Sequence, residues 1–181
     1  MLGSFDGKTF IPESGKYFYT KGSLYAGQTY TNIPNSDGRR IQIAWGRISH
    51  PSMPFNGMML LPTELTLHTT KEGIRLFSNP IKETKQLFTP LKKWASLTSD
   101  KANDHLKEFR NAETLRIKTT FKLSHATSAG IDLFGQRILD YDMNANTINS
   151  VFYSPEDRNS MELTADIYID KTSIEVFIDG G

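Results

Sequence analysis

Cysteine is missing altogether from this 181-residue chain, which excludes disulfides, thiolate nucleophiles and thiolate metal sites. An excess of charge of either sign is missing too: 21 Lys and Arg stand against 20 Asp and Glu, a formal net charge of +1. That balance gives no electrostatic reason to bind nucleic acid or an anionic membrane, so a neutral partner is expected. The histidines His50, His68, His105 and His125 are scattered without ligand spacing, and no metal or other cofactor is expected. No apolar run approaches the roughly 18 residues of a membrane span. The basic amino region and apolar core of a secretory signal are likewise absent, and localisation stays open. Serine nucleophile motifs, a glycine-rich phosphate loop and a dinucleotide fingerprint do not occur.

What is present is alternation. Leu24 to Tyr30, Arg40 to Gly46, Met58 to Pro62, Glu64 to Thr69 and Ile74 to Phe77 read as strands of a meander, broken by polar turns such as Pro34 to Gly38. Composition shifts between about Asn79 and Arg110, where lysines and other polar residues suggest a connector, with helical spacing over Ile81 to Phe88. Strands return at Leu115 to Leu123, Ala129 to Phe134, Arg137 to Asp142 and Thr147 to Tyr153, then in a final hairpin. Their spacing predicts a β-sandwich. The expected division is residues 1–78, a linker over 79–110, and 111–181.

Both ends read as interrupted. Leu163 to Ile169 and Ser173 to Ile178 form an antiparallel pair about Asp170-Lys171, with Ile174, Val176 and Ile178 on one face and Glu175 and Phe177 on the other. The Asp179-Gly180-Gly181 turn that follows calls for another strand. At the amino end, Leu2 to Phe10 is a strand-turn-strand pattern with Asp6-Gly7 as a type I′ turn candidate.

Candidate acids for glycosidic chemistry, which commonly uses two carboxylates, are few. Asp6, Asp37, Asp170 and Asp179 sit in turn contexts where a short carboxylate caps its own backbone. Glu64 and Glu175 lie in strands flanked by apolar residues, with a buried or interface salt bridge as the plainer role. Asp140 and Asp142 share a face as a metal-friendly pair without a third ligand. Aromatics make up 11% of the chain, and Tyr25 and Trp45 on successive strands suit either a core pair or a sugar-binding surface.

The runs Tyr25-Ala26-Gly27-Gln28-Thr29-Tyr30, Arg39-Arg40-Ile41-Gln42-Ile43-Ala44-Trp45, Met53-Pro54-Phe55-Asn56 and Pro62-Thr63-Glu64-Leu65-Thr66-Leu67 resemble glycoside hydrolase family 32. This is the family of levanases, inulinases, fructan β-fructosidases and invertases. Ser173-Ile174-Glu175-Val176-Phe177 resembles the family's sandwich motif, and Leu2 to Phe10 a hairpin of its fourth propeller blade. The resemblance implies an all-β fold: the last part of a five-bladed β-propeller (the end of blade four, then blade five) followed by a β-sandwich truncated at its carboxyl end. It implies no catalytic residue here, because the family's Asp-Pro-Asn, Arg-Asp-Pro and Glu-Cys motifs do not occur in this sequence. Tyr25 and Trp45 match the aromatics that line the family's sugar pocket. Ser23-Leu24 and Thr63 depart from the family pattern, the latter toward its levanase and inulinase side.

The expected function is therefore the carboxyl-terminal part of a retaining β-fructosidase acting on levan, inulin or sucrose, inactive by itself, with a fructan or sucrose-type sugar as partner. The resemblance makes a secreted or periplasmic setting natural. The rival is a non-catalytic carbohydrate-binding or partner-docking sandwich. A third outcome is self-association through open sheet edges, where backbone groups lack partners.

Overall fold

The computed structural model describes residues 1–124, 126–153 and 161–181, so His125 lies outside the described residues. The fold is all-β. In chain order the strands are β1 (Gly3–Phe5), β2 (Phe10–Pro12), β3 (Leu24–Thr29), β4 (Ile41–Gly46), β5 (Met58–Met59), β6 (Thr63–Thr70) and β7 (Gly73–Pro80). After a 3-10 turn (Lys82–Leu87) and helix α1 (Ser99–Leu106) come β8 (Leu115–Lys122), β9 (Ser128–Leu133), β10 (Gln136–Asp142), β11 (Thr147–Ile148), β12 (Val151–Phe152), β13 (Glu162–Asp170) and β14 (Ser173–Ile178).

Strands β3-β4-β6-β7 form one antiparallel sheet, with β5 added on β4, while β1 and β2 pair only with each other. The remaining strands make two further open sheets, β12-β11-β10-β9 and β14-β13-β8. These last two pack face to face because period-2 alternation gives each an apolar side. Ala165, Ile167 and Ile169 of β13 meet Ile131 and Leu133 of β9 and Ile138 of β10, flanked by Ile174, Val176 and Ile178. Leu123, Leu139, Tyr141 and Leu163 extend the same core. Leu139, Leu163 and Ile167 are fully buried, and truncating any one to Ala costs about 2–5 kcal/mol.

The other face of the β14-β13-β8 sheet is covered by the segment that follows β7. Tyr168 packs edge-on against Phe88 at 5.6 Å and Phe177 at 5.8 Å. Arg116 lies 5.0 Å over the Tyr168 ring while holding Asp166 through two bonds of 2.9 and 2.7 Å. The first sheet meets the last strand directly. A Cβ built on Gly181 would stand 2.5 Å from the Ser78 backbone nitrogen, so this approach tolerates only glycine.

Two local expectations are corrected. Asp6-Gly7 is not a two-residue turn: Phe5 pairs with Phe10, and Asp6 Oδ1 accepts from the Lys8 and Thr9 amides, which makes a four-residue loop the lower-energy closure. Thr147 to Tyr153 is not one strand, since Asn149 and Ser150 take φ of 49° and 63° and fold it into the β11-β12 hairpin. Asn149 is held there by tertiary contacts, accepting from the Asp140 amide at 2.8 Å and donating to the Ile138 carbonyl at 3.1 Å. The solvated connector also contains α1, whose first turn is capped by Thr98 Oγ1 accepting from the Lys101 amide.

Candidate functional site

The register between β3 and β4 slips between Tyr25 and Gln28, setting Ala26 and Gly27 together against Ala44. Ala26 takes φ 47°, the left-handed conformation of a β-bulge. Without that extra residue Ala26 would face Trp45; with it, Tyr25 does. The rings meet edge to face, with centroids 6.1 Å apart and planes at 68°.

Neither ring belongs to the core. Tyr25 is 54% exposed and Trp45 43%, a large apolar surface to leave in water unless something covers it. On its other side Trp45 is opposite Met59 of β5, also exposed. Beyond β4 the chain loops out and returns at Gly57, whose amide donates to the Ile48 carbonyl at 2.9 Å. Gly57 has φ +73°, and a Cβ there would lie 2.1 Å from Trp45 Nε1, so the loop approaches the indole as only glycine can. Within the loop, buried His50 stacks edge-on with Phe55 at 5.2 Å and donates its backbone amide to Asn56 Oδ1. Its Nε2 is buried and has no hydrogen-bond partner among the described residues. Arg47 places its guanidinium 4.9 Å from the centre of the Tyr25 ring.

Two half-exposed π-faces beside a cation with five donors can stack on the apolar face of a sugar ring and donate to its hydroxyls. They do not include the pair of carboxylates that glycosidic hydrolysis commonly uses. The candidate acids are engaged elsewhere. Asp37 binds Arg39 at 2.6 and 2.7 Å, and Arg39 also bonds Glu83 at 3.0 Å, tying the β3-β4 connection to the 3-10 turn. Arg39 holds the Asp37 carboxyl down to about 2. Asp6 caps its loop, Asp170 accepts from the Lys171 amide, and Asp179 accepts from the Thr164 amide and the Tyr153 hydroxyl. Asp140 pairs with Arg137, and Asp142 caps the Ala145 amide. No group of three metal-ligating side chains is found among the described residues.

Glu64 is half-buried opposite Ile41 and Asn79. Glu175 does sit at an interface, but its partner is not a cation. Both carboxylate oxygens accept from the Leu61 amide at 3.2 Å, 114 residues away in sequence. Burial raises its pKa, and the Leu61 bond offsets this only in part. Sequence reasoning missed Arg47, Gly57 and the Glu175 to Leu61 contact. The one available sign of the second was a glycine closing a Pro-rich loop near an aromatic strand.

No family model matches the chain. It is similar to a levanase of Bacillus subtilis strain 168, with 25% identity over an alignment of 214 positions that covers 99% of this chain and 31% of the relative. A levanase of Bacillus sp. strain L7 is 36% identical over 72 residues, 37% of this chain and 8% of that protein. Among solved structures, the exo-inulinase of Aspergillus awamori superposes with a TM-score of 0.68 at 20% identity, over 98% of this chain and 42% of that one. The chain thus spans about a third of the first levanase and less than half of the inulinase. With the ordered segments around Tyr25, Trp45 and Glu175, these likenesses support the resemblance to glycoside hydrolase family 32, with the chain corresponding to the carboxyl-terminal portion of the levanase and the exo-inulinase that it matches.

Proposed function

We propose that this chain forms the carboxyl-terminal part of a retaining β-fructosidase acting on levan, inulin or sucrose-type linkages, and that Tyr25 and Trp45 hold the fructosyl ring. The observation that carries this reading is the bulge-set pair itself: two exposed rings directly opposite each other, seated on Gly57 and flanked by Arg47. The two levanases and the exo-inulinase support the sugar class by their names. In this reading residues 1–78 are the end of blade four and blade five of a propeller, 79–110 the linker, and 111–181 the sandwich that supports them. Hydrolysis with retention needs a carboxylate nucleophile and an acid/base carboxyl about 5 Å apart. No acid described above forms such a pair, so those groups belong to the part of the relatives that this chain does not match, and the chain alone turns over no sugar.

The absence of a carboxylate pair beside the exposed aromatics among the described residues also favours a second reading, a module that binds carbohydrate without cleaving it. Calorimetry with fructose, sucrose and short levan and inulin oligomers tests the shared element. Saturable binding that Trp45→Ala abolishes supports the sugar surface, and no binding by the folded parent overturns it. Fructose release by the pure chain would instead overturn the assignment of catalysis to the unmatched part.

A further inference from the structure

Glu175 stands on β14, yet its carboxylate reaches into the first sheet and accepts from the Leu61 amide with both oxygens at 3.2 Å. Leu61 lies two residues beyond Met59, the end of the short strand that walls the aromatic pair. Met59 lies opposite Trp45, Met58 opposite Gly46, and the Leu60 amide donates to the Ala44 carbonyl at 2.9 Å. Leu60 also presses on Gly46, where a Cβ would stand 2.7 Å from its Cδ2. Both Met59 and Leu60, the two residues before Leu61, are therefore held to β4.

We infer that Glu175 is a positioning residue: by clamping Leu61 it fixes β5 against β4 and so sets the seat of Trp45, coupling the sugar surface to the carboxyl-terminal sheets. The inference rests on the proposed role of Trp45 for its functional meaning, while the clamp stands on geometry. A backbone amide is an uncommon sole partner for a half-buried carboxylate, because a charge removed from water ordinarily finds a cation. Among the described residues no cation pairs with it. Across β13 the opposite residue is Tyr168, a neutral phenol, and the charges beyond it, Arg116 and Asp166, satisfy each other. The 58–61 segment is Met-Met-Leu-Leu, and in the 3-10 turn Glu83 is taken by Arg39 while neither Lys82 nor Lys85 pairs with Glu175. The one strong interaction of this carboxylate is thus aimed at the strand beside Trp45, and its raised pKa makes that interaction responsive to pH.

The test uses the full chain with Trp94→Phe, which leaves Trp45 as the single tryptophan. Glu175→Ala is expected to shift Trp45 emission and increase its quenching by acrylamide while the far-ultraviolet spectrum stays that of the parent. Glu175→Gln, whose amide oxygen still accepts from Leu61 but carries no charge, is expected to restore the larger part of both, leaving a small offset from the parent at neutral pH. Lowering the pH should bring the parent's Trp45 signal toward that of Glu175→Gln, which itself stays flat. Unchanged emission in a folded Glu175→Ala protein, or an equal pH response in parent and Glu175→Gln, overturns the inference. Should Glu175→Ala fail to fold, the comparison of Glu175→Gln with the parent across pH decides alone. Loss of levan-oligomer affinity in Glu175→Ala with recovery in Glu175→Gln extends the clamp to binding. A parent that binds no sugar sinks the proposed role of Trp45 and leaves the emission readout intact.

Discussion

Gly57 lies directly beneath Trp45, so close that a single added carbon would overlap the indole nitrogen. Gly57→Ala therefore meets two penalties, a left-handed φ of +73° and a clash that the ring can relieve only by leaving its seat. The expected result is a loss of about 1–3 kcal/mol in stability together with weakened sugar binding, measured by denaturant unfolding and calorimetry on the same sample.

Glu175→Gln should stabilise the protein at neutral pH. The folded state holds the carboxyl pKa above its ordinary 4.5, so between the two values the folded form binds more protons than the unfolded form, and stability falls as pH rises. The parent should melt highest on the acid side of that window relative to the variant, and the two curves should separate as pH rises through the folded pKa. Glu175→Ala should instead cost about 1–3 kcal/mol by leaving the Leu61 amide unsatisfied. Thermal melts of all three from acid to neutral pH decide the ordering.

Asp37 shows the opposite sign. Arg39 lowers its pKa to about 2, so its contribution is fully present above its ordinary 3.8 and is lost as pH falls through the folded value. In Arg39→Met the Asp37 and Glu83 carboxyls should both move back up toward the ordinary range, as followed by carbon-detected nuclear magnetic resonance titration. Added salt should shrink the difference in the parent, because this network lies at the surface.

Phe134 and Gly135 take φ of 51° and 75° as the two central residues of the β9-β10 hairpin, since Leu133 pairs with Gln136. A bulky side chain in the left-handed region is strained, and this one is 71% exposed with no burial to offset it. Phe134→Asn restores the preferred Asn-Gly turn and should raise stability by about 1 kcal/mol. A lower melting temperature in the variant would overturn this, showing that the Phe134 ring stabilises the fold by more than its backbone strain costs.

How far the sequence could be read depends on the distance over which each signal acts. Alternation marked the strands and the two faces of β14, because period-2 burial is written in neighbouring residues. The Asn149-Ser150 turn was hidden inside an apparent strand because the contacts that impose it come from β10, a feature no local pattern carries. The aromatic pair was legible as two residues, but its geometry was not. A bulge is a count of one residue against two, visible only once register is known. Glu175 was marked as an interface residue, yet the expected salt bridge is a bond to a backbone amide, and backbone amides look alike in every sequence.

The span between Leu61 and Glu175 has a consequence for the order in which the molecule assembles. Closing a loop of 114 residues is entropically costly, whereas the β6-β7 and β13-β14 hairpins close over two-residue turns. The sheets should therefore form first and the clamp last, after most of the apolar surface is already buried. Stabilising that late contact would slow unfolding while leaving the folding rate almost untouched. On this route the aromatic pair takes up its final setting in the closing step, when the two halves of the chain come together.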